Sequence, residues 1–105
     1  MNIDEYANEV LRTIPLGDND DLVANFALGL AGESGEVVDE IKKYLYHGHD
    51  LDKGKIGKEL GDVMWYVFAL CHATGIDPLG VVAGNVMKLR LRYPDGFDER
   101  RSRDR

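Results

Sequence analysis

Cysteine is all but missing from this chain: Cys71 stands alone among 105 residues, which rules out an internal disulfide and any paired-cysteine zinc site. The longest apolar run, VMWYVFALC, is nine residues long, about half of what a helix needs to cross a bilayer. No charged-then-apolar leader opens the sequence, so a reduced, cytoplasmic setting without membrane association is the expectation. Positive charge is scarce in the body of the chain. Residues 1–87 carry 15 acids against 6 bases, and residues 88–105 carry 4 against 7, a distribution that argues against nucleic-acid binding through the body. Also missing are a phosphate-binding loop, a dinucleotide-binding glycine fingerprint and a nucleophile elbow. A glutamate followed three residues on by histidine, the spacing of di-iron carboxylate bundles, does not occur either, which removes a redox role of that kind.

Strand-like alternation, internal repeats and low-complexity tracts are lacking as well, and what fills the chain is helical periodicity. Ile3, Tyr6, Ala7, Val10, Leu11 and Ile14 recur at helical spacing until Pro15 and Gly17. Behind the capping residues Asp18, Asn19 and Asp20, a second stripe of Leu22, Val23, Phe26, Leu30, Val37, Ile41 and Leu45 runs to the HGHD break. Asp52 caps a third segment with Ile56, Leu60, Val63, Met64, Val67 and Leu70 on one face, ending at Gly75. Asp77 with Pro78 opens a fourth, in which Leu79, Val82, Ala83, Val86 and Leu89 form the face to be buried before Pro94. The expectation is an all-α, four-helix bundle forming a single domain over residues 1–98. Residues 99–105, with Arg100, Arg101, Arg103 and Arg105, read as a flexible basic tail. A second helix of this length, roughly 40 Å, overhangs a domain whose compact radius of gyration is about 13 Å. Its exposed apolar surface predicts a homodimer or homotetramer.

Within these helices, two acid pairs stand out, Glu33 with Glu36 and Glu59 with Asp62. Each pair projects from neighbouring positions on one helix face, where like charges destabilise a helix by about 0.2–0.5 kcal/mol. Glu33 lies between Leu30 and Val37, and Glu59 between Ile56 and Val63, so both border the apolar stripe and face desolvation. Lys55 and Lys58, each four residues ahead of an acid, offer weak ion pairs. A hard divalent cation is the stronger remedy, since Mg²⁺ takes oxygen ligands and commonly joins a few carboxylates to substrate phosphates. Gly29, Gly32, Gly35, Gly57 and Gly61 interleave with the acids. Each costs about 1 kcal/mol relative to alanine inside a helix, and each allows close backbone approach or leaves room for a ligand.

The ordered stretch GLAGESGEVVDEIKK, then GKELGDVMWYV, then NVMKLRLRYPDGF resembles the all-α MazG-like nucleotide pyrophosphohydrolases over most of the chain. The resemblance implies an oligomeric all-α enzyme that hydrolyses nucleoside triphosphates to monophosphate and pyrophosphate with Mg²⁺ as cofactor, one or two ions per site and Mn²⁺ as a substitute. It carries the metal ligands onto Glu33, Glu36, Glu59 and Asp62, and matches Lys43, Tyr66, Asn85 and Lys88 as further family positions. The residue before the first motif acid is Gly32 here, where longer relatives often have an acid, so substrate preference does not transfer.

A mechanism follows as an expectation. The quartet holds the ion, Glu36 or Glu59 orients or deprotonates the attacking water, and Lys43, Lys88 and Arg92 bind the outer phosphates. Asn85, Lys88 and Arg92 share a helical face, although for Arg92 the helix dipole is an equally good account. Phe26, Trp65 and Tyr66 are the aromatics near enough in sequence to meet a base, with core packing as the commoner use of such residues; Trp65 lies off the main stripe and is available to a ligand or a neighbouring subunit. His47, His49 and His72 carry no assigned role. Two other readings stand beside this one: a non-catalytic helical interaction or regulatory module of the same fold, and a related enzyme acting on phosphoribosyl-ATP or on particular deoxynucleotides.

Overall fold

The computed structural model describes residues 1–103 and contains five helices and no strand among them. Helix α1 (Ile3–Arg12) is capped by the Asn2 side chain, which accepts from the Glu5 amide. It stops one turn before Pro15 because the Thr13 hydroxyl folds back onto the Val10 carbonyl at 2.8 Å. Helix α2 (Asn19–Tyr46) is 28 residues long, about 42 Å at 1.5 Å per residue. Asp20 and Asp21 in its first turn and Lys43 in its last suit the helix dipole. Asp52 caps α3 (Lys53–Thr74), which ends at Gly75 in the left-handed conformation that glycine adopts without strain. Asp77 and Pro78 open α4 (Pro78–Arg92) as the sequence predicts.

The basic tail is not featureless. Asp98 accepts from the Arg100 amide and starts a fifth short helix, α5 (Glu99–Arg103), so that Arg100, Arg101 and Arg103 belong to an ordered turn. Arg105 lies outside the described residues.

Most of the packing is between α2 and α3. Gly29 meets Tyr66 and Glu40 meets Lys55, so each step up α2 is a step down α3 and the pair is antiparallel. At one end of this seam Val10, Phe26 and Ala69 form the buried core, with Tyr6, Ile14, Leu22, Trp65 and Phe68 around it. The aromatics lock edge to face: Tyr6 on Phe68 at 4.8 Å, Phe26 on Trp65 at 5.5 Å, and Trp65 on Tyr66 at 5.1 Å. Trp65, which the sequence leaves between core packing and contact with a ligand or a neighbouring subunit, packs on the core of its own chain, and its indole donates to the Thr13 hydroxyl at 2.7 Å.

One copy buries less than the periodicity implies. Ile41 and Leu45 on α2, Leu60 and Met64 on α3, and Leu79, Val82, Val86 and Leu89 on α4 are all exposed. The reason is geometric: α4 leaves α3 at 111° and packs on α1 and α3, while the second half of α2 packs along the first half of α3. The radius of gyration, 16.8 Å, accordingly exceeds the roughly 13 Å of a compact chain this long. No single helix among the described residues is long and apolar enough to cross a membrane.

Close approach explains one of the interleaved glycines. A Cβ at Gly29 would overlap the Tyr66 ring, whereas Gly32, Gly35, Gly57 and Gly61 face open space. Gly29→Ala is predicted to lower stability by about 1–2 kcal/mol, overpacking outweighing the gain in helix propensity. A thermal melt showing an unchanged or raised midpoint would contradict this.

Candidate metal centre on the antiparallel helix seam

Two turns beyond the aromatic core the α2–α3 seam changes character. Glu33 on α2 and Glu59 and Asp62 on α3 each bring one carboxylate oxygen into a group whose members all lie within 4.8 Å of one another. Glu33 and Glu59 are half-buried and Asp62 is exposed. An open cleft of about 360 Å³ beside them is walled by Glu33, Asp62, Trp65 and Tyr66. Trp65 and Tyr66 thus serve twice, packing inward on Phe26 and lining the cleft beside the acids.

The crowding shows in protonation. The Glu33 carboxyl is pushed above the usual carboxylate range, first because it hydrogen-bonds Glu59, then through partial desolvation, then through the negative charges of Asp62, Glu59 and Glu36. Two carboxylates this close come to share a proton as pH falls, when nothing else neutralises them. Tyr6, on α1, has its phenol pushed upward by burial and by the charge of Asp62, which places it at the margin of the same cluster.

The donor set consists entirely of carboxylate oxygens on two rigid helices, the chemistry a hard divalent cation takes. Adjacent oxygens on an octahedral Mg²⁺ bound at about 2.1 Å stand roughly 3 Å apart and opposite ones roughly 4 Å, and side-chain rotation is what draws the group together to that spacing. Glu33, Glu59 and Asp62 therefore fit such an ion. Glu36, one turn further along α2, is exposed and reaches Glu33 through its charge without bringing an oxygen into the group.

The remaining residues singled out in the sequence are dispersed. Tyr66 lies at the cleft, its ring against Gly29. Lys43 is held by Glu40 at 3.2 Å, and Lys55, which the sequence offers to Glu59, pairs with Glu40 instead at 3.1 Å. Asn85 is exposed on α4. Lys88 and Arg92 line a separate groove of about 990 Å³ with Met87, Asp98, Arg100 and Arg101, and no acid of the cluster borders it. Sequence reasoning missed Tyr6 and Glu40. Tyr6 carried no signal beyond its helical spacing, while Glu40 stands four residues after Glu36 in the same acidic row and was legible on that ground.

With this geometry in view, the comparisons with known proteins are specific. Residues 23–97 match the family model of the MazG nucleotide pyrophosphohydrolase domain, a stretch containing both acid pairs and all of α2, α3 and α4 but the first turn of α2. The chain belongs to that family, within the all-helical nucleoside triphosphate pyrophosphatases. It is also 33% identical over 105 residues to the Gene 37 protein of Mycobacterium phage L5, a match covering 91% of this chain and 92% of the phage protein. No solved structure matches.

A raised Glu33 fixes the sign of a pH effect in the metal-free protein. The folded state binds this proton more tightly than the unfolded chain, so its contribution is complete below the unfolded glutamate pKa and is lost as pH rises through the folded value. Glu40 has the opposite sign: hydrogen bonding to Lys55 and Lys43 outweighs its burial and holds it deprotonated, and its contribution fades only as pH falls through its folded pKa. From mildly acid to neutral pH the metal-free protein should therefore lose the Glu33 contribution while keeping that of Glu40. Millimolar Mg²⁺ should raise the melting midpoint more at neutral than at mildly acid pH, because the ion replaces the shared proton. Equal shifts at both pH values, or a Glu33→Gln protein showing the same pH response to Mg²⁺, would contradict this.

Proposed function

We propose that this protein is a Mg²⁺-dependent nucleoside triphosphate pyrophosphohydrolase, releasing nucleoside monophosphate and pyrophosphate, with a house-cleaning role on standard or damaged (deoxy)nucleotides. The observation that carries the reading is the convergence of Glu33, Glu59 and Asp62 from two antiparallel helices, in a chain whose family is defined by nucleotide pyrophosphohydrolase domains. Glu33, Glu36, Glu59 and Asp62 are the metal-site residues of the proposal. When bound, Mg²⁺ supplies neutralisation of phosphate charge and a more acidic water.

What the chain itself contributes follows from placement. Glu33, Glu59 and Asp62 would hold the ion and so mark the place of the triphosphate on the seam. Glu36, adjacent to the group and outside it, retains a carboxylate able to orient the attacking water and accept its proton at the α-phosphorus, and Glu59 is the other acid assigned to that step. Tyr66 walls the cleft and shapes the space next to the phosphates. Asn85, Lys88 and Arg92 are assigned to substrate binding; because the groove formed by Lys88 and Arg92 is bordered by none of the acids, their joint use with the cluster falls to the assembled protein. A homodimer or homotetramer is the proposed form, and the exposed apolar faces of α2, α3 and α4 support it.

A panel of standard and damaged nucleoside triphosphates with Mg²⁺ tests the activity directly, through pyrophosphate release. Glu59→Gln and Asp62→Asn should each reduce turnover at least about 100-fold, the worth of a few kcal/mol of charge stabilisation at the phosphate, with helicity unchanged by circular dichroism. Release of pyrophosphate from none of the panel would sink the enzymatic reading in favour of a binding module of the same fold. Light scattering at micromolar concentration should give a dimeric or tetrameric mass, and a monomeric mass would overturn the assembly.

A further inference from the structure

Glu40 is the one buried charged residue among those described, 9% exposed and set in the α2–α3 seam one turn beyond Glu36. Its Oε1 accepts contacts from two ammonium groups, Lys43 Nζ at 3.2 Å and Lys55 Nζ at 3.1 Å. Stability is a poor explanation for this arrangement, since an apolar side chain of similar volume in a helix seam is commonly as stabilising as a buried ion pair, or more so. Lys55 is also badly placed by itself. It lies in the first turn of α3, which contains no acid, and the positive end of a helix disfavours a cation.

The arrangement acquires a purpose from its register on the seam. Lys55 stands four residues before Glu59 on α3, and Glu40 seven after Glu33 on α2, so the paired ammoniums sit one to two turns along from the acid cluster. Because they share a single carboxylate oxygen, the two nitrogens are held side by side. They keep substantial exposure, 40% for Lys43 and 49% for Lys55. They face a polar pocket of about 530 Å³ closed by Asp52 and by the turn at Gly48–Asp50, and that turn is fastened by the His49 amide donating to the Lys43 carbonyl at 3.1 Å. Along the seam, then, an anion-rich stretch that suits a divalent cation passes into one where two ammoniums stand together among Glu40, Asp50 and Asp52, and those ammoniums are the donors that phosphate oxygens take.

We propose that Glu40 is a positioning residue that clamps Lys43 and Lys55 into a two-ammonium fork for the leaving pyrophosphate end of the substrate. This rests on the pyrophosphohydrolase reading for its substrate but not for its binding chemistry, which any linear polyphosphate beside the acid cluster satisfies. Glu40 touches neither substrate nor ion; it acts through the lysines.

Inorganic tripolyphosphate with Mg²⁺, titrated by calorimetry, is the probe. Glu40→Gln should weaken its binding about 10-fold, and should raise KM for a hydrolysed nucleotide by a similar factor with little change in kcat. Mn²⁺ affinity in the absence of phosphate should stay at the wild-type value. In a Lys43→Met/Lys55→Met background the same Glu40 substitution should have no further effect on tripolyphosphate, the signature of action through the lysines. If Glu40→Gln does not fold, Glu40→Met, which removes the buried charge, is used in the same cycle. Wild-type tripolyphosphate affinity in the folded variant, or an equal weakening with and without the lysines, overturns the proposal. A chain that shows the predicted cycle but hydrolyses no nucleotide would uphold the fork and reject the enzymatic reading.

Discussion

Mutual repulsion among Glu33, Glu59 and Asp62 is the constraint around which the rest is arranged. Three carboxylate oxygens within 4.8 Å of one another do not stay together on flexible supports, because each gains by swinging into water. They remain close here because α2 and α3 are long, antiparallel and tightly registered, and because Tyr66 is seated against the bare backbone of Gly29 one turn from the acids. The tighter hold of Glu33 on a proton is the mark of that repulsion, and a divalent ion would relieve it. Rigidity in the scaffold and unfavourable charge at the site are thus two sides of one design.

The seam is organised in zones along its length. Phe26, Trp65, Tyr66 and Ala69 make its dry end, the acids occupy the middle, and Glu40 with its two lysines closes the far end. Each zone sets the conditions for the next. The dry end fixes interhelical distance, the middle gathers negative charge, and the far end offsets it with Lys43 and Lys55. Lys55 owes its location to a partner on the opposite helix, since its own helix end works against it.

Helix boundaries were legible in the sequence because local chemistry decides them. Asp52, Asp77 with Pro78, and Gly75 mark starts and stops within single turns. The all-α class and the two acid pairs were legible for the same reason, spacing along one helix. Partners across helices were not. Lys55 pairs with Glu40, fifteen positions away, rather than with Glu59 on its own helix, and Trp65 is fixed by Thr13 from a different segment. Periodicity also overstated burial: Leu79, Val82, Val86 and Leu89 line one face of α4 as the spacing required, yet each stays 38–45% exposed among the described residues. The fifth helix escaped notice because its five residues give periodicity too little length to register.

The indole of Trp65 has a consequence of its own. It is the sole tryptophan of the chain, its ring borders the acidic cleft, and its nitrogen is tied to Thr13 at the end of the first helix. Indole emission from this protein therefore originates at one location, where the amino-terminal helix, the hydrophobic interior and the carboxylates all meet. The molecule carries a native optical probe that registers filling of the cleft and detachment of the first helix without any added label.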